Sequence, residues 1–389
     1  MNKRFNYSRA LKAEAIETAN EFKILCVTGP RQSGKTTFCK SLFKKTKYIN
    51  LEDPDMARFA RDQPRKFLSA CKSRTILDEV QRVPELFNYL QGWVDKRDHN
   101  GQFILTGSSN FLLQEGISQS LAGRVGYIEL LPFSQSELSL NDAVADEISS
   151  AIFRGGYPVV VTGKTSAARW NDNYIKTYIE KDLRLLRNIG SLSTFNRFLR
   201  ICAGRASQLL NLSAIANEIG VDVKTIDAWI SVLELSYIVY RLPPYHVNFN
   251  KRVIKSPKLY FYDTGVLCHL LGIRSVSALA SSKYYGEIFE NFMVTEIVKN
   301  RKNHEQLGEI YFFRDSVGNE VDVVIDRGES LMPIEIKSSK RIHSGDLRGI
   351  RWFNRFMRQS GGILIYGGKD EKSFDDDLVA LPYYDVMNL

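Results

Sequence analysis

Short apolar runs alternate with helix-length stretches over the first third of the chain. FKILCVTG, KYINLED, SRTILDEV, GQFILTGSS and GRVGYIEL are strand-sized, whereas KTTFCKSLFKK and PELFNYLQGWVDKR are helical. Strand–helix alternation predicts a parallel sheet covered by helices, an α/β domain over about residues 1–140. Residues 141–283 read as mostly helical. Within them LSAIANEIGVDVKTIDAWISVLEL (212–235) breaks into two helices at Gly220-Val221, and a hairpin-like stretch follows. Helix, turn, helix and hairpin predict a winged helix. From about residue 284, one helix (GEIFENFMVTEIVKNR) precedes the strands EIYFFRD, EVDVVID, LMPIEIKSS and GGILIYGG, a second α/β domain over 284–389.

At 389 residues the chain is too long for one core, in keeping with several domains. No apolar run approaches the roughly 20 residues of a membrane helix, so no membrane partner is expected. The charged N-terminus has no apolar region behind it and does not read as a secretion signal. The five cysteines are scattered without a CxxC, which predicts a reduced, cytoplasmic compartment with neither disulfides nor structural zinc. A net charge of +9 permits nucleic-acid binding without requiring it.

The first chemistry sits in VTGPRQSGKTTFCK. Gly29-Pro30-Arg31-Gln32-Ser33-Gly34-Lys35-Thr36 is a Walker A loop between a strand and a helix, with Thr37 next in the helix. Its backbone N–H groups would wrap phosphates, Lys35 would reach the β and γ oxygens, and the Thr36 hydroxyl would bind Mg²⁺. The expected cofactors are therefore ATP and Mg²⁺. RTILDEV ends an apolar strand in Asp78, a candidate Mg²⁺ ligand, and Glu79, a candidate to polarise the attacking water. The tip of the next strand offers Asn110, with Thr106 as the alternative, to a γ-phosphate; a plain Ser/Asn turn is the bland reading.

These motifs, with Arg124 in SLAGRVGYIEL, resemble the AAA+ ATPases over about the first 140 residues. The resemblance implies that Arg124 reaches a neighbouring subunit's nucleotide, and hence a homo-oligomer; a surface arginine, or one pairing with an acid of its own chain, is the rival. Gly156-Tyr157-Pro158 resembles a turn that related signal-type ATPases place near the adenine.

In NEVDVVIDRGESLMPIEIKSSK two strands flank a turn at 327–330. A tight hairpin sets Asp322 opposite Glu335 on one face, with Lys337 two residues on. Opposed carboxylates repel, and a divalent cation between them would relieve the repulsion. Asp, about a dozen residues, then Glu-x-Lys resembles the PD-(D/E)xK nucleases. That resemblance adds a helical glutamate, here Glu290 (Glu287 lies a turn earlier), and implies metal ligands Glu290, Asp322 and Glu335 with Lys337 catalytic. The usual proline before the Asp is absent. LTGSSN, LAGR, LLPFSQSEL, FRGGYP, KLYFYDTG, GEIFENF and PIEIKSS together resemble a prokaryotic family of AAA-type P-loop ATPases fused to a domain with this nuclease-like core.

In the middle segment Lys224 and Thr225 would open a recognition helix, and Lys251, Arg252, Lys255 and Lys258 would line the wing. However, Ile226, Trp229, Ile230 and Leu233 make a broad apolar face, and Asp222 and Asp227 oppose a phosphate contact. The pattern favours a packing role over groove reading. The chain thus reads as an ATP-driven motor or switch coupled to a DNA-processing module. The rival is a nucleotide-gated signalling or interaction protein whose nuclease-like core is a scaffold.

Overall fold

The computed structural model describes residues 7–71, 74–108, 120–179, 191–245, 256–304, 306 and 308–388. The chain divides into two compact units. One comprises Met1–Phe133, Tyr157–Thr162 and Leu235–Tyr237; the other holds the remainder.

The first unit is built on five strands: β1 (Ile24–Thr28), β2 (Lys47–Asn50), β3 (Thr75–Asp78), β4 (Phe103–Thr106) and β5 (Val125–Glu129). They lie in the order β2-β3-β4-β1-β5, all parallel. Every β1, β3 and β4 residue is buried, as strands covered on both faces require. Alternate side chains feed two cores. Ile24, Cys26, Leu77 and Leu105 face one side, and Leu25, Val27, Ile76 and Ile104 face the other. Helices α1 (Lys12–Glu21), α2 (Lys35–Leu42), α3 (Pro54–Asp62), α4 (Pro64–Ser69) and α5 (Leu86–Val94) accompany the sheet. Because β1 lies between β4 and β5, its carboxyl end is a topological switch point, where open α/β sheets bind ligands.

In the second unit α6 (Leu212–Ile219) ends at left-handed Gly220, and α7 (Val223–Leu235) follows. Phe195 and Phe198 pack edge-on against Trp229, so the apolar face of α7 is covered within the unit. Strands β6 (Val239–Leu242) and β7 (Lys258–Phe261) pair antiparallel. The expected wing residues Lys251, Arg252 and Lys255 lie outside the described residues. Lys258 is 2% exposed, which corrects its placement on a solvent-facing wing.

Helix α8 (Tyr285–Asn303) precedes a six-stranded sheet in the order β12-β13-β11-β10-β9-β8. Its strands are β8 (Ile310–Arg314), β9 (Glu320–Asp326), β10 (Leu331–Lys337), β11 (Gly362–Tyr366), β12 (Lys372–Phe374) and β13 (Leu378–Pro382), with α9 (Arg348–Met357) between β10 and β11. β9 and β10 form the antiparallel hairpin, paired from Leu331 with Asp326 to Ile334 with Val323. That register brings Asp322 and Glu335 opposite each other.

All five cysteines are free and buried. Among the described residues, no helix is long and apolar enough to cross a membrane.

Candidate functional site

The loop from Gly29 to Gly34 joins β1 to α2. Gly29 adopts φ +138, and a Cβ there would stand 2.3 Å from the Leu130 carbonyl oxygen, so only glycine fits. Gly34 is left-handed (φ +97) and starts α2 directly at Lys35. Pro158 Cγ lies 3.8 Å from where a Gly34 Cβ would be, which puts the start of the helix Pro158–Val161 beside the loop. Arg9 donates to the carbonyls of Ser33 (3.4 Å) and Leu131 (2.5 Å) and stacks over the Phe133 ring. Nothing in the sequence pattern marks this arginine as a loop anchor.

Lys35 is buried, and its ammonium donates to the carbonyls of Gly29 (2.9 Å) and Pro30 (2.7 Å). Burial pulls its pKa down to about 8, against the raising influence of Glu79 and Asp78. The Ser33 hydroxyl is buried with no hydrogen-bond partner among the described residues. Gln32 and Thr37 are exposed, and Arg31 is half-buried.

Asp78 ends β3, 5% exposed, at the centre of a set of hydroxyls. Its Oδ2 accepts from Thr36 Oγ1 (2.9 Å) and Tyr48 Oη (2.7 Å), and its Oδ1 accepts from Thr106 Oγ1. Tyr48 projects from the edge strand β2 and carries no motif to reveal it. Glu79 has left-handed backbone (φ 55, ψ 44). Its Oε2 accepts from Gln81 Nε2 (2.5 Å) and Ser108 Oγ (3.0 Å). The β4 tip therefore reaches the acidic pair through Thr106 and Ser108. Asn110 lies outside the described residues.

Arg124 grips Asp95 in its own chain as a two-pronged fork, Nε to Oδ1 at 2.6 Å and Nη2 to Oδ2 at 2.8 Å. This is the geometry of the rival reading, an arginine paired with an acid of its own subunit.

In the second unit Asp322 Oδ2 accepts from the backbone N–H of Ile336 at 2.8 Å, across the hairpin. Glu335 Oε1 accepts from Lys337 Nζ at 2.6 Å, while Oε2 is buried beside Gly349 without a partner among the described residues. Lys258, buried rather than on a solvent-facing wing, completes the cluster. Lys258 Nζ lies 3.0 Å from Glu290, 2.5 Å from Glu320 and 3.6 Å from Asp322, and Tyr260 Oη donates to Glu290 at 2.8 Å. Glu290, rather than Glu287, faces the hairpin. Burial raises the pKa of Glu290; Lys258 lowers it and Asp322 adds to the rise. Burial followed by the Asp322 charge raises that of Glu335. For Lys258 burial lowers the pKa, but the surrounding carboxylates outweigh it and keep the ammonium charged.

Among the described residues, no group of three or more His, Cys, Asp or Glu side chains is spaced to hold a metal ion. The divalent cation expected on Glu290, Asp322 and Glu335 stays an expectation; the cation that Glu290 and Asp322 face here is the Lys258 ammonium. The physical reason is the one that suggested a metal. Carboxylates crowded in a dry site need positive charge, and β7 supplies it.

The uncharacterized protein Rv2008c of Mycobacterium tuberculosis is 30% identical to this chain over 369 residues, which span 94% of this chain and 81% of the relative. This chain belongs to that protein's family. The uncharacterized protein MJ1544 of Methanocaldococcus jannaschii is also similar, 23% identical over 356 residues, which span 82% of this chain and 77% of the relative. Residues 21–139 match an AAA domain, so the parallel-sheet unit is an AAA-type P-loop ATPase domain. Residues 145–277 and 285–386 match two domains of unknown function, DUF8612 and DUF4143. Among solved structures, the Walker-type ATPase PABY2304 of Pyrococcus abyssi is similar with a TM-score of 0.43 and 16% identity, covering 68% of this chain and 95% of its own.

Proposed function

We propose that this chain binds ATP with Mg²⁺ and hydrolyses it to ADP and phosphate, as a nucleotide-driven switch. The observation that carries this reading is the set of hydroxyls on Asp78, one side chain from the phosphate loop. Thr36 and Asp78 fit a Mg²⁺ site, since that ion is commonly held by one or two protein oxygens together with phosphates and water. When bound, the ion neutralises charge on the β and γ phosphates.

The protein's own groups do the rest. Lys35 leaves its two loop carbonyls for phosphate oxygens, the loop N–H groups fix the chain of phosphates, and Glu79 orients a water in line with the γ-phosphorus. As the water oxygen bonds to that phosphorus, the bond to the β–γ bridging oxygen breaks, and Glu79 takes up the water's proton. Gln81 and Ser108 hold the Glu79 carboxylate in place. Phosphate release from ATP, abolished in Lys35→Ala, tests the assignment; release at the wild-type rate from that variant refutes it.

For the C-terminal domain one observation favours the second reading, an interaction or signalling module on a scaffold of nuclease-like pattern. Lys258 already pairs with Glu290 and Asp322, two of the carboxylates that cleavage would need for a metal. The arginine fork at Asp95 likewise supports reading Arg124 as a strut within its own subunit rather than a finger for a neighbour. A plasmid-cleavage assay with Mg²⁺ or Mn²⁺, with and without ATP, should leave the DNA intact. Metal-dependent nicking lost in Asp322→Asn would restore the nuclease reading.

A further inference from the structure

Helix α9 has a sharply divided surface. Ile350, Phe353 and Asn354 are buried against the sheet. The opposite side carries Arg348 and Arg355, both exposed, with Arg351 half-buried between them. Arg358 extends the row at the left-handed C-cap (φ 56). No aspartate or glutamate occurs from Leu347 to Lys369. Arg355 and Arg358 enter no ion pair among the described residues. Beside the arginines, Trp352 and Phe356 stack at 5.1 Å with planes 14° apart, and Phe356 is 37% exposed. Phe313 backs the Trp352 ring at 5.6 Å, so the pair is held rigidly.

We propose that this face of α9 binds the backbone of single-stranded nucleic acid, with the arginines on phosphates and the Trp352–Phe356 pair offering a ring face to a base. The chemistry separates this partner from other polyanions. At 1.5 Å per residue the arginines recur about every 5 Å along the helix, a row that can track a chain of phosphates. All four cations of the row are arginines, whose planar forks match phosphate oxygens in pairs. A rigid aromatic surface next to them suits bases, which every strand has and an acidic peptide lacks. The row also begins beside the carboxylate cluster, because a Cβ on Gly349 would lie 3.0 Å from Glu335 Oε2. Binding at this face needs neither ATP nor its hydrolysis, so it stands or falls independently of the ATPase assignment.

The test uses the full chain, EDTA and no nucleotide, with a fluorescent oligothymidine of about twenty nucleotides, long enough to exceed one such site. Anisotropy titrations across a salt series give affinity and salt slope. Replacing Arg348, Arg351 and Arg355 together by Gln should weaken binding at least tenfold. It should also reduce the slope of log affinity against log salt by about 2, at roughly 0.7 per lost phosphate contact on single strands. Trp352→Leu with Phe356→Leu should weaken single strands more than duplex. If these core-side rings unfold the domain, the exposed pair Arg355→Gln and Arg358→Gln still reports through the slope. An unchanged affinity and slope in the arginine variants would overturn the proposal. So would competition by polyglutamate or anionic vesicles as effective, at equal charge, as the oligonucleotide.

Discussion

Thr36 Oγ1 donates to Asp78 Oδ2 across 2.9 Å, joining the first turn of the phosphate-loop helix to the carboxyl end of the third strand. A metal ion between loop and strand needs these two groups adjacent, as they are here. Preorganisation of this kind lowers the ordering cost of binding. Tyr48 and Thr106 donate to the same carboxylate, so its orientation is fixed from three sides.

Tyr48→Phe removes one hydroxyl from Asp78 and leaves the ring, its packing and the Lys40 ammonium over it. A hydrogen bond to a charged group contributes about 1.5–3 kcal/mol. The variant should therefore lose roughly tenfold or more in Mg²⁺-dependent ATP turnover, while nucleotide affinity in EDTA stays near wild type. Steady-state phosphate release, with a fluorescent nucleotide titrated in EDTA, separates the two effects.

Burial lowers the Lys35 pKa to about 8 in the free loop, whereas a bound triphosphate favours the charged lysine. The sign follows directly. Below about pH 8 the free lysine is already protonated and affinity is flat; above it, binding must take up a proton. ATP affinity should fall above about pH 8, by at most tenfold per pH unit. Calorimetric titration at pH 9 in two buffers of different ionisation enthalpy should show net proton uptake.

Lys258→Met leaves Glu290, Glu320 and Asp322 without their shared cation. Removing one partner of a buried ion pair typically costs about 3–5 kcal/mol. Chemical denaturation should show a loss of that order, and adding Glu290→Gln to Lys258→Met should recover part of it. Wild-type stability in Lys258→Met would mean that Lys258 does not hold the cluster together.

The phosphate loop is legible in the sequence because its chemistry is local: glycines at Gly29 and Gly34, a lysine and a threonine between one strand and one helix. The hairpin register is legible for the same reason, since a short turn fixes which residues of β9 and β10 face each other. Partners set by tertiary packing are not legible. Tyr48 lies on an edge strand with no motif, Asp95 sits 29 residues before the arginine it holds, and Arg9 anchors Ser33 and Leu131 from outside every motif. Lys258 shows the limit most plainly. Spacing puts it on a hairpin, where lysines are usually solvated, but α8 and β9 enclose it with three carboxylates.

The central claim, that this chain turns over ATP with Glu79 as the water-orienting base, is tested most directly by single-turnover hydrolysis in Glu79→Gln. The substitution keeps Asp78 and its three hydroxyl partners and removes only the charge that Gln81 and Ser108 hold in place. Positioned general bases contribute about 10²–10⁴-fold. The account predicts that Glu79→Gln retains radiolabelled ATP with near wild-type affinity but cleaves it at least a hundredfold more slowly. Cleavage of bound ATP at the wild-type rate would contradict it.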